Sequence, residues 1–487
     1  MSPAALETAR NPDGLRRVVI EPLSRVEGHG KVTLLLDEQG HVEQARLHIV
    51  EFRAFEKFIQ GRPYWEVPVM VQRLCGICPV SHHLAACKAL DQVLGATVTP
   101  TAGKIRRLMH YGQILQSHAL HFFHLSSPDL LFGFDSDVAR RNIVGVAAAF
   151  PEIARQGVLL RKYGQEVIRH TAGKRIHGTG SVPGGVNKNL SLAERDELLA
   201  DIAQTIAWSR DSVQIVRRLF EQNPGLYRTF ASFPASTLSL VRADGALDLY
   251  HGGLRARDAD GNPVFDHAPY DRYWERIAED VKAWSYMKFP YFKALGAEQG
   301  WYRVGPLTRV TQCDFIPTPL AELERREFMA FDDGRAARST LGFHWARMIE
   351  MLHAAESIRD LLHDPDLQGT DLMASGERQA RGVGVIEAPR GTLIHHYRVD
   401  EQDQVVRANL IVSTTHNNQA MNVAIREVAR RYLDGRQLTE GLLNHIEVAV
   451  RAFDPCLSCA THAVGKMPLS VQLLDPYGTV IDARMRG

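Results

Sequence analysis

The sequence predicts a mainly α-helical protein with small β-elements, which is the α+β fold class. Apolar residues recur three and four positions apart through much of the stretch 69–363, and this is the period of helices with one buried face. Short β-branched runs between turn residues occur near the N-terminus and again at 384–415. A length of 487 residues, 45% of them hydrophobic, provides ample material for a large core. The formal net charge of +1 gives no indication of binding to nucleic acid or anionic membranes.

The first element is a small antiparallel sheet over residues 17–50. Three β-type runs lie there, separated by glycine-containing turn signals at 27–30 and 38–40. A helical pattern follows over 69–94, where Pro79 is an interruption. The same period predicts further helices at about 102–125, 139–165, 192–222, 271–287 and 337–363.

Two later segments have the pattern of β-hairpins. The first covers 250–265 and turns at 260–263, and the second covers 384–415 and turns near 400–403. The first turn is Asp-Gly-Asn-Pro and the second begins and ends with Asp, and these residue types favour chain reversal. Both segments are therefore expected to be antiparallel.

Two helices are expected after the second hairpin, at about 416–433 and 439–453, and Pro455 ends the second. Because no repeat and no Ser/Gly-rich linker divides the chain, residues 1–462 are expected to form one compact unit. The longest apolar stretch is far shorter than the ~20 residues that cross a bilayer, so no membrane span is expected. The N-terminal residues contain no apolar export segment, and a cytoplasmic location is expected.

Four of the six cysteines form two Cys-x-x-Cys pairs, Cys75 with Cys78 and Cys456 with Cys459. This spacing places two thiols on one side of a turn, where they can chelate a single metal ion. Four thiolates favour zinc, iron or nickel. The spacing alone is equally compatible with a structural zinc site or with two unrelated pairs. The remaining cysteines, Cys87 and Cys313, are expected to be small buried residues rather than ligands.

Motifs around these pairs, and elsewhere along the chain, occur in the order found in one family. They are Ser24–His29, Phe52–Glu56, Arg73–His83, Gln116–His124, Glu387–Gly391, Ala408–Thr415 and Phe453–His462. This ordered set resembles the large, catalytic subunit of nickel–iron hydrogenases. The resemblance implies a buried Ni–Fe centre that cleaves H2 heterolytically and reversibly, with an iron that carries CO and cyanide.

In this family the four cysteines hold the metals. The resemblance implies that Cys78 and Cys459 bridge nickel and iron, whereas Cys75 and Cys456 are terminal nickel ligands. Glu27 matches the family's proton-relay glutamate, a role that suits a buried carboxylate near a cysteine sulfur. The alternative interpretation of Glu27 is an ordinary turn residue.

Three further residues match family positions around the iron. Arg390 matches the arginine that bonds a cyanide, Asp454 matches its acidic partner, and Thr414 matches the hydroxyl that bonds the other cyanide. Their alternatives are a solvated strand arginine, a turn aspartate and a helix N-cap. The sequence departs from the family at Ser117, where many members have aspartate, and at Ser413, where proline is common.

The resemblance also implies a magnesium or iron ion near the mature C-terminus, held by Glu56 and His462. The family cuts its precursor just after this histidine once nickel is in place, so a maturation endopeptidase is expected to remove 463–487 after nickel-insertion factors have acted. His118, His121 and His124 repeat every three residues and are therefore rotated around a helix. We expect them to pack and form hydrogen bonds rather than to bind metal.

The remaining cofactors are expected on other chains. The sequence has no dinucleotide-binding glycine motif after a strand and no spare cysteines for clusters, so we expect no NAD, flavin or iron–sulfur cluster here. The chain looks most like the soluble, bidirectional, NAD-reducing type, in which an iron–sulfur small subunit passes electrons to a diaphorase with a flavin and an NAD site. The alternatives are NADP- or deazaflavin-linked relatives, and a zinc-bound, non-catalytic scaffold subunit related to respiratory complex I.

Overall fold

The computed structural model describes residues 9, 11–433, 435, 439–461, 469–474 and 480–486. Helices predominate and the sheets are small, which confirms the predicted α+β class. The helices are α1 Phe55–Phe58, α2 Val67–Met70, α3 Pro79–Leu94, α4 Pro100–Leu120, α5 Ser127–Phe132, α6 Ile143–Ala149, α7 Pro151–Ala172, α8 Leu192–Gln222, α9 Pro224–Thr229, α10 Gly296–Gln299, α11 Pro306–Gln312, α12 Pro319–Ala330, α13 Gly342–Leu362, α14 Ser413–His416, α15 Asn418–Val428 and α16 Glu440–Ala452. None of the helices in the described ranges is both long and apolar enough to cross a membrane.

The strands form separate small sheets rather than one layer. They are β1 Arg16–Ile20, β2 Gly30–Leu36, β3 Val42–Ile49, β4 Ser181–Val182, β5 Gly185–Val186, β6 Ser236–Val241, β7 Gly253–Arg257, β8 Pro263–Ala268, β9 Ile277–Asp280, β10 Phe289–Phe292, β11 Tyr302–Arg303, β12 Arg381–Ala388, β13 Gly391–Val399, β14 Val405–Ile411, β15 Leu469–Leu474 and β16 Val480–Arg486. Strands β1 to β3 make the predicted N-terminal antiparallel sheet. Strands β15 and β16 pair antiparallel with each other.

Helix α13 lies at the centre of the helical core and is buried along most of its length. Helices α4, α8, α11 and α12 pack around it, and α7 packs along α4. The contact between α4 and α7 is close because it contains glycine on both helices. A Cβ at Gly164 would lie 2.7 Å from the carbonyl oxygen of Gly112. This close contact holds α4 and α7 together in the helical core.

The sheet β12–β13–β14 packs on helix α3, which begins directly after the first cysteine pair. A Cβ at Gly384 would lie 2.2 Å from the carbonyl oxygen of Ala85, so only glycine permits this approach. Pro79 does not break a helix but begins α3, where its missing N–H costs no hydrogen bond. Strand β13 and helix α3 thereby meet beside the cysteines.

The structure corrects two expected elements. The stretch 271–287 is not a helix: a 3₁₀ turn at Tyr270–Glu275 leads into β9, which pairs with β10. Its aromatic spacing imitates a helical period, but Trp274 stacks on His396 of β13 at 5.2 Å and Trp284 packs against Phe289 of β10 at 5.3 Å, and this packing with other strands favours the non-helical conformation. The stretch 384–415 is not a single hairpin but contains three antiparallel strands, with an additional tight turn at 389–390.

Candidate metal centre

Four cysteine thiols from opposite ends of the chain meet in one buried cluster. Cys75 and Cys78 lie between the 3₁₀ turn Val71–Leu74 and helix α3, and Cys456 and Cys459 follow helix α16. The sulfur atoms all lie within 4.8 Å of one another. The Sγ–Sγ distances are 3.3 Å from Cys75 to Cys456, 3.8 Å from Cys78 to Cys459 and 2.8 Å from Cys456 to Cys459. The structure thus brings together all four predicted ligands.

The electrostatics of this cluster suit a bound cation. Burial raises the pKa of Cys456 and of Cys459 well above the usual thiol value. The neighbouring thiols raise it further, because several thiolates in one apolar pocket would repel one another. Hydrogen bonds from Cys456 and its neighbours lower the pKa of Cys78, so the cluster shares negative charge unevenly. Four sulfur donors around one point, poorly able to ionise together without a positive charge, fit a soft or borderline metal centre.

Glu27 contacts this cluster directly. The Cys456 thiol donates to its Oε2 at 2.9 Å, and the backbone N–H of Leu457 donates to its carbonyl oxygen at 2.9 Å. The Ser458 hydroxyl donates a short hydrogen bond to Oε1. A Cβ at Gly28 would lie 2.6 Å from the Ser458 nitrogen, so glycine allows the two segments to approach. Glu27 therefore forms an isolated backbone bridge with Cys456 and places its carboxylate beside the sulfur of that residue.

Arg390 lies in the turn between β12 and β13, not within a strand as expected from the sequence. It is buried and lines a small cavity together with Cys78, Cys456 and Thr414. Its Nε donates to the carbonyl oxygen of Asp454 at 2.6 Å, and Nη2 donates to Asp454 Oδ1 at 3.0 Å. Burial opposes its charge, but Asp454 and the nearby thiol groups raise the pKa of Arg390 well above its usual value. The solvated-strand interpretation is thus wrong.

Asp454 and Ser117 hold this guanidinium from two sides. Asp454 adopts a left-handed conformation with φ of 53° directly after α16, and its Oδ2 is buried without a hydrogen bond among the described residues. The Arg390 Nη1 donates to the Ser117 hydroxyl at 3.4 Å. A hydroxyl therefore contacts the arginine at the position where many family members have aspartate.

Thr414 does not cap a helix. It lies inside α14, whose N-cap is Val412, and its hydroxyl oxygen accepts from the backbone N–H of Cys456 at 2.9 Å. The neighbouring Ser413 donates to the carbonyl oxygen of Gly391 at 2.7 Å, which ties this helix to the turn that carries Arg390. Both hydroxyls fix the position of backbone around the cavity.

Glu56 lies on α1 and is buried away from solvent. Its Oε1 accepts from the backbone N–H of Leu410 at 2.8 Å, and burial raises its pKa to about 7. The N–H of Arg53 donates to the carbonyl oxygen of Thr461 at 3.1 Å, so this segment runs beside the residue that precedes His462. His462 itself lies outside the described residues.

His118 on α4 and His121 in the π-helical turn after it form the expected hydrogen bonds, whereas Nδ1 of His124 is buried without a partner among the described residues. His118 Nε2 lies 2.7 Å from Glu350, and His121 Nε2 lies 2.7 Å from the carbonyl oxygen of Arg451. Cys87 and Cys313 are buried free thiols, and burial raises the pKa of both. Neither belongs to the metal cluster.

A buried ion-pair network lies behind Arg390 and was not predicted from the sequence. Arg309 is fully buried and pairs with Glu350 through Nε at 2.6 Å and with Glu387 through Nη1 at 2.8 Å. It also donates to the carbonyl oxygen of Ala388 at 2.9 Å, two residues before Arg390. The presence of Glu387 in the motif Glu387–Gly391 was the available signal, since a carboxylate in an apolar strand requires a buried cation.

The fold, the four sulfurs and the charged groups beside them define a thiolate metal centre of the hydrogenase class. The family model for nickel-dependent hydrogenases matches residues 53–133 and 249–462, and a second model, described as HoxL-like, matches 17–52. The chain belongs to the nickel-dependent hydrogenase family.

Individual relatives show which members of this class the chain is similar to. The chain is 50% identical to the NAD-reducing hydrogenase HoxS subunit beta of Cupriavidus necator, over 97% of this chain and 100% of that protein. It matches the crystal structure of a NAD+-reducing NiFe hydrogenase in the H2-reduced state with 61% identity and a TM-score of 0.91, covering 92% and 99% of the two chains. The NiFeSe hydrogenase of Desulfovibrio vulgaris Hildenborough shares the fold at 23% identity, with a TM-score of 0.74 and coverage of 92% and 99%.

Proposed function

We propose that this chain is the catalytic subunit of a NAD-reducing nickel–iron hydrogenase that cleaves and forms H2 reversibly. One observation carries the chemistry: a carboxylate, Glu27, lies 2.9 Å from the sulfur of Cys456 within a buried four-cysteine cluster. The choice of NAD as the final acceptor rests on the 50% identity to a NAD-reducing hydrogenase subunit over nearly the whole chain.

The four cysteines, Cys75, Cys78, Cys456 and Cys459, would hold nickel and iron. When bound, the Ni–Fe group with its CO and cyanide ligands supplies the two-electron chemistry that separates H2 into protons and electrons. The burial of every sulfur excludes water from this chemistry. A zinc-bound scaffold would not require the charged groups that surround the cluster.

Glu27 would move the proton. Its Oε2 accepts a hydrogen bond from the Cys456 thiol at 2.9 Å, so a proton on this sulfur can transfer to the carboxylate along an existing contact. Ser458 donates to both carboxylate oxygens, through its hydroxyl to Oε1 and through its N–H to Oε2 at 3.3 Å. These bonds hold the carboxylate in the orientation that the transfer requires.

Arg390, Asp454 and Thr414 would shape the opposite side of the cavity. Arg390 is a permanent cation that Asp454 holds through two hydrogen bonds, and its donors suit a negatively charged diatomic ligand. The Thr414 hydroxyl accepts from the N–H of Cys456, which leaves its own proton free to donate toward the cavity. We propose that these two residues bind the cyanide ligands.

Glu56 and His462 would bind a magnesium or iron ion, for which a carboxylate is a suitable ligand. We also propose that 1–462 is the mature subunit and that an endopeptidase removes 463–487 after nickel-insertion factors have acted. Mass spectrometry of the chain from nickel-fed and nickel-starved cells tests this order, because cleavage in both would contradict it.

The partners would be an iron–sulfur small subunit and diaphorase subunits with flavin and an NAD site. The cysteines outside the cluster, Cys87 and Cys313, are isolated buried thiols and offer no cluster site on this chain. We expect the complex in the cytoplasm, which cell fractionation tests.

The deciding experiment is the purification of the chain with its partners from its native host. We expect about one nickel per chain and H2-dependent reduction of NAD+. Reduction of NADP+ or a deazaflavin but not NAD+ would refute the acceptor, and zinc in place of nickel would refute the enzyme.

A further inference from the structure

A cavity of about 520 Å³ lies on a part of the molecule that shares no lining residue with the metal centre. Its walls come from the segment that precedes β6, the turn between β7 and β8, and the ends of β11 and α11. Phe233 provides an apolar wall, and polar side chains such as Thr237 and Gln312 face the same space. The volume lies within the range of about 300 to 1,000 Å³ that is typical of small-molecule sites.

One wall of this cavity is a buried arginine without a hydrogen-bond partner for two of its nitrogens. Arg303 ends strand β11, where it pairs with Thr237 of β6, and the residue is only 6% exposed. Its guanidinium lies 5.1 Å from the ring centre of Phe233. Both Nε and Nη1 are buried, and neither has an acceptor among the described residues.

The charge of Arg303 is also uncompensated. Burial lowers its pKa to about 10, and no carboxylate in the described part of the chain acts against this effect. Arg255, two strands away on β7, is similarly buried but pairs with Asp266 at 2.8 Å and with Asp314 at 3.0 Å. A buried charge without a partner destabilises the folded chain, so an unpaired guanidinium indicates a binding partner that is not part of the fold.

The other charges around the cavity do not provide that partner. Arg257 and Arg338 line the same space and add positive charge. The carboxylate of Asp258 is occupied within its own turn, where it accepts from the N–H of Asn262 at 2.8 Å and from its side-chain amide at 3.1 Å. Asp260, the other acidic residue of the lining, is exposed on the same turn. The cavity is therefore positive at its buried end.

We propose that this cavity binds a phosphorylated small molecule, whose phosphate pairs with Arg303 and whose organic part lies against Phe233. The planar guanidinium is a permanent cation on the wall of the cavity, and its charge suits a phosphate. Thr237 accepts a hydrogen bond from Gln312, so its own hydroxyl proton remains free for the ligand. The cavity is much larger than a bare phosphate, and this favours a ligand with an organic portion.

The test uses the isolated full-length chain, free of the diaphorase and its NAD site, with inorganic phosphate and AMP as probes. Thermal unfolding is followed at constant ionic strength in chloride, phosphate, AMP and, as a carboxylate probe, acetate. We expect phosphate and AMP to raise the melting temperature by about 2 °C or more at saturation, and acetate to have no effect. Calorimetric titration with AMP then gives the stoichiometry, expected to be one per chain.

The variant Arg303→Met removes the charge at nearly constant volume. We expect it to abolish the response to phosphate and AMP, and to raise the melting temperature in chloride because an unpaired buried charge is lost. H2-dependent activity is expected to persist, which separates this inference from the proposed function. The matched control is Arg242→Met, since Arg242 is exposed, follows β6 directly and pairs with Asp244 at 2.6 Å. This control is expected to respond like the parent chain.

Three results would overturn the inference: no response of the parent chain to phosphate or AMP, an equal response to acetate, or an unchanged response in Arg303→Met. If that variant does not fold, Arg303→Lys takes its place, because it keeps the charge and loses the planar pair of donors. We expect Arg303→Lys to weaken AMP binding by about tenfold or more, and unchanged binding would contradict the proposed contact.

Discussion

Glutamine in place of Glu27 removes the ability to carry a proton and keeps the size of the side chain. The side-chain oxygen of glutamine can still accept the hydrogen bond from Ser458, so the turn and its approach to the cysteine loop are expected to remain. The contact at 2.9 Å from the Cys456 sulfur loses its proton acceptor, because an amide does not protonate near neutral pH. The change thus isolates proton transfer from structure.

The expected loss follows from the role of a positioned acid–base group. Such groups contribute about 10² to 10⁴ in rate, or roughly 3 to 5 kcal/mol of barrier. We expect Glu27→Gln to reduce H2-dependent NAD+ reduction by about this factor, since the carboxylate contacts the sulfur without an intervening group. Nickel and iron content per chain is expected to equal that of the parent, because no metal ligand is changed.

The assay measures H2 uptake, exchange between H2 and deuterated water, and metal content on the same preparation. The matched control is Glu38→Gln, which alters a carboxylate in the exposed turn between β2 and β3. Activity of Glu27→Gln within about threefold of the parent would refute the relay role, since one positioned acid–base group contributes far more than that. Loss of nickel together with activity would show that the carboxylate acts in assembly of the site.

Three further predictions concern ligation, pH and the buried network. Cys456→Ser is expected to lower nickel content to the background level and to leave 463–487 attached, as measured by metal analysis and mass spectrometry; a processed, active variant would contradict nickel ligation. Burial lowers the pKa of Lys88 in the folded chain to about 7. Above that pH the unfolded chain binds more protons than the folded chain, so the free energy of unfolding should rise from pH 7 toward 10. Lys88→Met should flatten this rise in melting temperature, and an identical slope would contradict it. Arg309→Met would leave Glu350 and Glu387 unpaired in the core and is expected to cost about 3 to 5 kcal/mol in urea unfolding; an unchanged midpoint would show that the pair is dispensable.

Local patterns predicted most of the regular elements. Helix α8 coincides with its expected span 192–222, since a capping box at Ser191 and Glu194 marks its beginning. The N-terminal sheet also follows the β-branched runs and their glycine turns. The helix predicted for 271–287 was wrong, because the aromatic residues of this stretch pack across strands and their partners lie far away in the sequence.

In the candidate site, too, local patterns were predicted and long-range packing was not. The spacing of the two Cys-x-x-Cys pairs indicates a metal site, and the structure brings their sulfurs together. The sequence does not indicate that Arg390 lies in a turn, or that Thr414 accepts from the N–H of Cys456, because both depend on the packing of β13 and α14 against the cysteine loop. Arg309 remained unnoticed for the same reason, since its partners lie on a distant helix and strand.

The backbone bridge between Glu27 and Cys456 has a consequence for the timing of biosynthesis. During translation, Cys75 and Cys78 leave the ribosome long before Cys456 and Cys459, so a nascent chain contains only half of the four-cysteine cluster for most of its synthesis. Under the ligation proposed above, complete metal loading would therefore follow the synthesis of almost the whole chain.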